Sequence, residues 1–495
     1  MGLKKECSEK SADFTFINIS NPDDSRRRST QKVVRHHVMA RVGQSRKKPP
    51  RSITFAVRLP PAEVGRGASE DDAEICSHGA HQDQHCYENV AYSLHPYALF
   101  PVETDGRARQ LIHFMHSEGD YLYRPFRNEW FAMAVIDRTA FYLSLANAAL
   151  FFHQMTERKG CEYGDFEESS KYLSLCLNGV AQRLERETHQ ISDGVITTVL
   201  GFLCHDSNVG RWDRYGVHMQ GLNNIIQVRG GFQTLNSTIV MFTCWFDILG
   251  ASVFDRKPLF PVAFGLSSAS AQDNVLSPSL TDLLMRIRDS SEGLFDVTTA
   301  LEKTAHLTMF VNNNGGNPLF WKDGASAASR ITPVLHLLLS LRRFTDPASS
   351  GHTLPKLVLQ EMVRLALLIV VASVKQAFAL IADELAGLLQ RFSTFVPMAS
   401  RIDTYFPELS LWAIIMVATL QPDKPDLLHA RATLNVMRAM GVKSGKAAIE
   451  IAQSFIWIDK LMEMSVAKVI FEIDNALCCS EADQEDYPGS QHTCR

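Results

Sequence analysis

The sequence predicts an all-α protein in which one large multi-helix domain lies between a disordered basic N-terminal arm and a disordered acidic C-terminal tail. Three observations support this prediction. Apolar residues recur at alternating spacings of three and four between residues 95 and 475, which is the period of a helix. Strand-like alternation is scarce in the same region. Both ends of the chain are polar and charged, a composition that buries too little apolar surface to offset chain entropy.

The N-terminal arm, residues 1–59, is strongly basic. No acidic residue occurs between Ser25 and Ala62, whereas eleven lysines and arginines do. Val34, Val38 and Val42 recur every fourth residue, so we expect a short helix there. The cations that this arm offers to an acidic partner are Arg26, Arg27, Arg28, Lys32, Arg35, Arg46, Lys47, Lys48 and Arg51.

Three uses of these cations are open. The two clusters around Arg27 and Lys47 suit a nuclear import receptor, which is the hypothesis we favour. They also suit non-specific contact with DNA phosphates, since Lys and Arg neutralise phosphates without reading sequence. A solvated tail is the third hypothesis. Residues 60–94, rich in Gly, Asp, Glu, His and Gln, are expected to be a disordered linker.

Helix signals then follow one another along residues 95–475. The apolar run Ala132–Met155 contains no Pro or Gly, which predicts a helix there. The spacing of four apolar residues predicts another: Leu173, Leu177, Val180 and Leu184. Ser192-Asp193 is a helix start. Serine-rich residues from Pro261 to about Ser291 and the stretch Asn312–Pro318 predict loops. Further helices are predicted at Pro333–Phe344, Leu357–Phe392, Leu409–Leu420, Leu427–Met440 and Ala447–Asn475, and residues 476–495 are predicted to form the disordered tail.

The stretch from Arg211 to Pro261 contains the clearest helix. Its apolar residues alternate by three and four, which places them on one face: Trp212, Tyr215, Met219, Leu222 and Ile226. Polar residues occupy the opposite face. Arg229, followed by Gly230 and Gly231, marks the helix end, because a cation is favourable near the last carbonyls and glycine allows the chain to turn.

Two segments of this stretch, His218–Gly231 and Trp245–Pro261, resemble the central region of the fungal-specific transcription factor domain. The residues that we assign to this motif, with structural roles, are Trp212, His218, Gly221, Arg229, Gly230, Gly231, Asp247, Gly250 and Pro261. The resemblance implies an all-helical regulatory domain in a nuclear transcriptional regulator or coregulator. It also implies pathway-specific control, often of secondary-metabolite gene clusters, and other transcription regulators or import receptors as partners.

Regulators of this type often carry a six-cysteine zinc cluster, and this sequence lacks one. The cluster requires two C-x-x-C pairs, but no C-x-x-C occurs here and Cys7 is the one cysteine before Cys76. The short tract from Cys76 to Cys86 contains Cys and His at spacings that match no closed tetrahedral site. We therefore expect no metal and no cofactor.

Motifs for catalysis are also missing from the sequence. His205, Asp206 and Ser207 have triad-type side chains, but sequence neighbours cannot supply the spatial relay that a triad needs. The longest apolar run, Leu365–Ala372, is shorter than the roughly 20 residues of a membrane span. We expect a non-enzyme that does not enter a membrane. The alternatives are a helical enzyme or small-molecule-binding protein of a biosynthetic pathway, and a pure scaffold.

Overall fold

The computed structural model describes residues 100–117, 125–156, 162–187, 191–262, 275–290, 295–344, 354–399, 406–423 and 430–485. Every regular element within these ranges is a helix, which confirms the all-α prediction. The helices are α1 Gly106–Ser117, α2 Arg127–Ala134, α3 Arg138–Thr156, α4 Glu167–Arg186, α5 Asp193–Asn208, α6 Trp212–Val228, α7 Ser237–Val253, α8 Pro278–Ser290, α9 Phe295–Asn314, α10 Gly324–Ser340, α11 Leu354–Ala377, α12 Leu385–Ala399, α13 Pro407–Leu420, α14 Ala430–Met440, α15 Gly445–Gln453, α16 Asp459–Met462 and α17 Val466–Glu485.

The helices pack around two centres within one compact unit, Gly79–Arg495. In the first half, α3 packs against α1, α4 and α5, and α5 in turn packs against α6 and α7. In the second half, α11 contacts α9, α10, α12 and α13, while α13 packs against α14, α15 and α17. Contact between α7 and α10 joins the two halves.

Helix α11 is the main core element of the second half. Residues 358–375 are buried without interruption. Lys356–Ala377 is long and apolar enough to span a membrane, but 94% of its most apolar window is covered by the other helices. This burial explains the apolar composition, since a core helix needs apolar residues on all sides.

Several predicted boundaries are wrong because side-chain hydrogen bonds and turns interrupt helices that the apolar pattern alone would continue. The apolar run Ala132–Met155 is divided between α2 and α3, since Asp137 Oδ1 accepts hydrogen bonds from the Thr139 and Ala140 amides and starts a new helix. Predicted helix Leu357–Phe392 is likewise two helices. Between them, Ala379 has a positive φ of 53° and Lys375 donates to Glu384.

The predicted loop from Pro261 to Ser291 contains α8. The hydroxyl of Ser277 accepts a hydrogen bond from the Leu280 amide, and Pro278 occupies the first helical position. Ser followed by Pro is a recognisable helix start, so the sequence did carry this signal.

The C-terminal region differs from the prediction in two respects. Predicted helix Ala447–Asn475 is divided into α15, α16 and part of α17, because the side chain of Asn312 bonds the backbone of Trp457 and of Asp459 and holds this segment out of helical conformation. The boundary predicted at residue 475 falls inside α17, which continues to Glu485. Residues 476–485 are therefore helical rather than part of a disordered tail.

Helix α4 forms as predicted, but its apolar stripe is only partly covered: Leu173 and Val180 pack at the edge of the core. Tyr172 and Cys176 are the buried apolar residues of α4. Leu177 and Leu184, from the predicted stripe, are 47% and 44% exposed. Periodic apolar residues normally face the core, so this stripe is an unusual surface feature.

Helix α6 confirms its predicted apolar face, since Tyr215, Met219, Leu222 and Ile226 are buried, while Trp212 is half-buried. The Tyr215 hydroxyl donates to the Phe246 carbonyl of α7. The Tyr215 ring also lies against Gly250, where a Cβ atom would come within 2.6 Å of its Cε1. Because Gly250 has no side chain, α6 and α7 can approach each other at this point.

Replacing Gly250 with Ala should destabilise the protein, by about 1–3 kcal/mol, because the buried Tyr215 ring cannot move aside without repacking. Gly221→Ala is the matched control. A Cβ at Gly221 of α6 meets no atom within 4 Å, so this change should be neutral or stabilise by up to about 1 kcal/mol through helix propensity. Thermal unfolding followed by circular dichroism measures both, and equal effects of the two variants would contradict the proposed contact.

Candidate functional site

Helices α6 and α7 contain five of the nine motif residues. The other four lie in the segments that follow these two helices: Arg229, Gly230, Gly231 and Pro261. The two ends of α5 are joined to α6 by different polar clusters.

Asp206, in the last turns of α5, joins that helix to α6. Its side chain is 2% exposed and contacts two side chains of α6, Arg214 and His218. Arg214 Nε donates to Asp206 Oδ1 at 3.1 Å, and His218 Nδ1 lies 2.8 Å from Asp206 Oδ2. Glu162 adds a second carboxylate, accepting from Arg214 at 2.8 Å and from Arg211 at 2.7 Å. The cations at the start of α6 are therefore largely neutralised.

The opposite end of α6 is fixed to the start of α5. Arg229 forms an ion pair with Asp193, which also accepts a hydrogen bond from Asn236 at 2.7 Å. Gly230 and Gly231 have φ values of 106° and 104°, a backbone conformation that favours glycine. These three motif residues thus end the helix as predicted, although the main partner of Arg229 is a carboxylate.

His205 is buried beside this unit and is 1% exposed. Its ring lies 4.1 Å from the Tyr163 ring centroid and 6.2 Å from that of Phe151. Neither ring nitrogen has a hydrogen-bond partner within the described residues. Burial lowers the pKa of His205 to about 4, so the imidazole is neutral at physiological pH.

The three triad-type residues of α5 do not act together. Ser207 Oγ donates to the Cys204 carbonyl, His205 bonds neither neighbour, and Asp206 is occupied by the two side chains of α6. These separate contacts stabilise the fold and do not form a catalytic triad. Among the described residues there is also no group of three His, Cys, Asp or Glu side chains placed to hold a metal ion.

Asp247 of α7 fixes the segment that ends in Pro261. Asp247 Oδ2 accepts the Phe260 amide at 2.8 Å, and His336 of α10 contacts the Phe260 carbonyl at 3.0 Å. Burial raises the pKa of Asp247. Pro261 takes part through its carbonyl, which accepts from the Cys244 thiol. The hydrogen-bond partner of Asp247 is thus a backbone amide.

Sequence reasoning missed Asp255, which follows α7 directly and has a positive φ of 42°. Its carboxylate receives Arg364 Nη1 and Nη2 at 2.9 and 2.8 Å, and Arg343 Nε at 3.1 Å. Arg391 contacts the same carboxylate. The buried Glu361 accepts from both Arg364 and Arg391. We call these five side chains the Asp255 cluster. Asp255 is far in sequence from the arginines that contact it, so no local pattern predicts the cluster.

Two motif residues remain. Trp212 Nε1 donates to Asp383 at 3.0 Å, which links α6 to the segment before α12. Gly221 lies on α6 with open space around it, so its assigned motif role has no structural counterpart here. The nine basic-arm residues from Arg26 to Arg51, like the Cys76–Cys86 tract, lie outside the described residues.

Comparison with known families gives one match, to the model described as the fungal specific transcription factor domain, over residues 109–285. These residues form a fungal specific transcription factor domain. The match begins within α1 and ends within α8, so it contains the Asp206 and Asp247 contacts described above. No curated protein and no solved structure matched the chain.

The fungal specific transcription factor domain supports assignment of the chain as a fungal transcriptional regulator, and its family is one of transcription factors rather than enzymes. Within this domain, the charged side chains that we described mainly bond each other or the backbone. They hold α5, α6 and α7 in fixed relative positions. The exposed residues of α6 are polar and apolar: Asp213, Val217, Gln220, Asn224, Gln227 and Val228.

The buried, neutral His205 predicts a specific pH dependence. Folded protein keeps this imidazole unprotonated down to about pH 4, whereas the unfolded chain protonates it near the ordinary pKa of 6.5. Between these values the unfolded state binds more protons, so the free energy of unfolding falls as pH decreases from about 6.5 to about 4. This histidine alone contributes a decrease on the order of 3 kcal/mol.

Urea unfolding at a series of pH values, compared between the natural protein and His205→Leu, isolates this contribution because every other titrating group is shared. The variant should show a flatter pH profile below pH 6.5. Parallel profiles for the two proteins would show that His205 is already protonated, or accessible to water, in the folded state.

Proposed function

We propose that the chain is a pathway-specific transcriptional regulator or coregulator of fungal type that works in the nucleus, with secondary-metabolite gene clusters as its expected targets. The observation that carries this proposal is the fungal specific transcription factor domain at residues 109–285. No C-x-x-C pair occurs in the sequence, so the proposal does not assign DNA recognition to a zinc cluster.

The charge distribution on α6 supports action through protein partners rather than through DNA contact by the domain itself. Binding to DNA phosphates requires uncompensated Lys and Arg. The exposed face of α6 contains amides, one acid and two valines but no cation. Arg211 and Arg214, at its start, are each paired with carboxylates. Transcription regulators that read DNA themselves are therefore the partners we propose for the helical domain.

The basic arm supplies the remaining functions of the proposal. We assign nuclear import to its two cation clusters, with non-specific phosphate contact as the competing assignment. Both assignments depend on positive charge, so a deletion alone cannot separate them. An experiment that restores import without restoring the arm can.

Deleting residues Ser25–Arg58 should abolish nuclear accumulation and the expression changes of a defined transcript set, because the deleted segment contains eleven cations and no acid. Localisation by fluorescence and transcript profiling measure both effects. A second variant carries an unrelated import signal in place of the deleted segment. Recovery of nuclear entry together with the transcripts assigns the arm to import, and recovery of entry alone assigns it to phosphate contact.

Cytoplasmic residence of the intact protein, with unchanged transcripts when its gene is deleted, would contradict the proposal. That result would favour the alternative of a helical enzyme or small-molecule-binding protein in a biosynthetic pathway.

A further inference from the structure

The Asp255 cluster contains more cations than acids. Its three arginines surround two carboxylates, and each arginine contacts at least one of them: Arg343, Arg364 and Arg391 around Asp255 and Glu361. Three positive and two negative charges leave an excess of one positive charge. Burial disfavours an ionised guanidinium unless an anion compensates its charge. Burial and repulsion by Arg364 both lower the pKa of Arg343, so this cation is incompletely compensated.

The arginines at the two ends of α6 do not share this excess. At its start, two arginines contact three carboxylates: Arg211 and Arg214 with Glu162, Asp206 and Asp213. At its end, Arg229 pairs with Asp193, one cation with one acid. The excess of positive charge therefore distinguishes the Asp255 cluster from these two contacts. It indicates that an anion from outside the described residues completes the cluster.

Two arginines of the cluster each keep one nitrogen that bonds no described residue. Arg343 donates from Nε to Asp255 and from Nη2 to the Leu339 carbonyl, which leaves Nη1. Arg391 donates from Nη1 to Asp255 and from Nη2 to Glu361, which leaves Nε. Neither remaining nitrogen is fully enclosed by the described residues. The side chains of Arg343 and Arg391 are 20% and 36% exposed, so both donors reach the surface at the edge of the cluster.

The two guanidinium groups lie beside each other, because Arg343 bonds one oxygen of the Asp255 carboxylate and Arg391 bonds the other. Two exposed cations flank them in sequence, Arg342 and Lys257, and increase the positive potential there. Guanidinium N–H donors match the oxygens of carboxylates and phosphates in both charge and geometry. The chemistry of this edge is therefore that of an oxyanion site.

We propose that Arg343 and Arg391 form a binding site for a small anionic molecule, whose carboxylate or phosphate group accepts hydrogen bonds from Arg343 Nη1 and Arg391 Nε. Both side chains are partly buried, so a small molecule reaches them more readily than the surface of a nucleic acid or protein does. Asp255 follows α7, whereas Arg391 lies on α12, so the bound molecule strengthens a contact between the two halves. The inference does not depend on the function proposed above.

Thermal unfolding of the full chain with increasing inorganic phosphate, succinate or chloride, at constant pH and ionic strength, tests the site. Phosphate or succinate should raise the unfolding temperature by a few degrees in a saturable manner, because a ligand that binds the folded state stabilises it. A larger response to phosphate assigns the site to phosphoryl groups, and a larger response to succinate assigns it to carboxylates. Equal unfolding temperatures in all three salts overturn the proposal.

Phosphate also stabilises proteins in general because it is excluded from their surfaces, so variants must separate binding from this effect. Arg343→Gln removes the Nη1 donor and the excess charge. It should raise the concentration that gives a half-maximal response by roughly tenfold or more. Arg186→Gln is the matched control, since it removes one exposed arginine from α4, and it should respond like the natural protein. An Arg343→Gln response equal to that of the control overturns the site.

A second variant keeps every contact of the Asp255 cluster and so tests the site even if Arg343→Gln fails to fold. Arg342→Gln/Lys257→Gln changes two exposed side chains. It should weaken phosphate or succinate binding by a few-fold, because less positive potential surrounds the donors. Circular dichroism of each variant checks the fold. Binding as tight as in Arg186→Gln contradicts the assigned position.

A nucleic acid is the competing occupant of these cations, and duplex DNA tests it. The small-molecule proposal predicts that Arg342→Gln/Lys257→Gln and the natural protein bind duplex DNA equally, because any contact with DNA is then made elsewhere. DNA binding that is lost in this variant, without a saturable response of the natural protein to phosphate or succinate, identifies a nucleic-acid surface and overturns the proposal.

Discussion

The carboxylate of Asp255 is the constraint on which the arrangement of the two helical halves depends. It lies directly after α7, at the end of the family motif, and receives guanidinium groups from α11, α12 and the segment after α10. Arg364 and Glu361 are fully buried, so removing one charge would leave another desolvated without a partner, which is far costlier than losing a surface pair. Burial also lowers the pKa of Arg343 and Arg391, because it disfavours the charged guanidinium. The cluster fixes geometry rather than adding much net stability.

This constraint connects the transcription factor domain to the helices beyond its matched residues. The match ends within α8, yet the polar contacts of the domain continue into the later helices, through Trp212 to Asp383 and through Phe260 to His336. Anything that binds near α6 or α7 therefore contacts an element whose position depends on both halves. We regard the whole helical body, rather than the matched residues alone, as the regulatory unit.

Local patterns predicted the helix class and the faces of α6 correctly, because periodicity and glycine positions are recorded in neighbouring residues. They failed where distant residues decide the structure. Asn312 interrupts the predicted helix Ala447–Asn475 from more than a hundred positions away, and the Asp255 cluster brings together residues that no local spacing connects. For the α4 stripe, periodicity predicted the helix but not its exposure, since burial depends on which face the neighbouring helices cover. Sequence analysis considered Asp206 only as a member of a catalytic triad. Its structural role could not be predicted, because the partners that define this role lie on another helix.

The most direct test of the account fuses the whole chain to a DNA-binding domain of known site and measures transcription of a reporter that carries this site. Fusion supplies both DNA recognition and an import signal, so the result reports on the helical body alone. The account predicts a change in reporter transcription relative to the DNA-binding domain by itself, because the body is proposed to act through contacts with other regulators. A fusion that is folded, nuclear and bound to its site, yet leaves transcription unchanged, would contradict it.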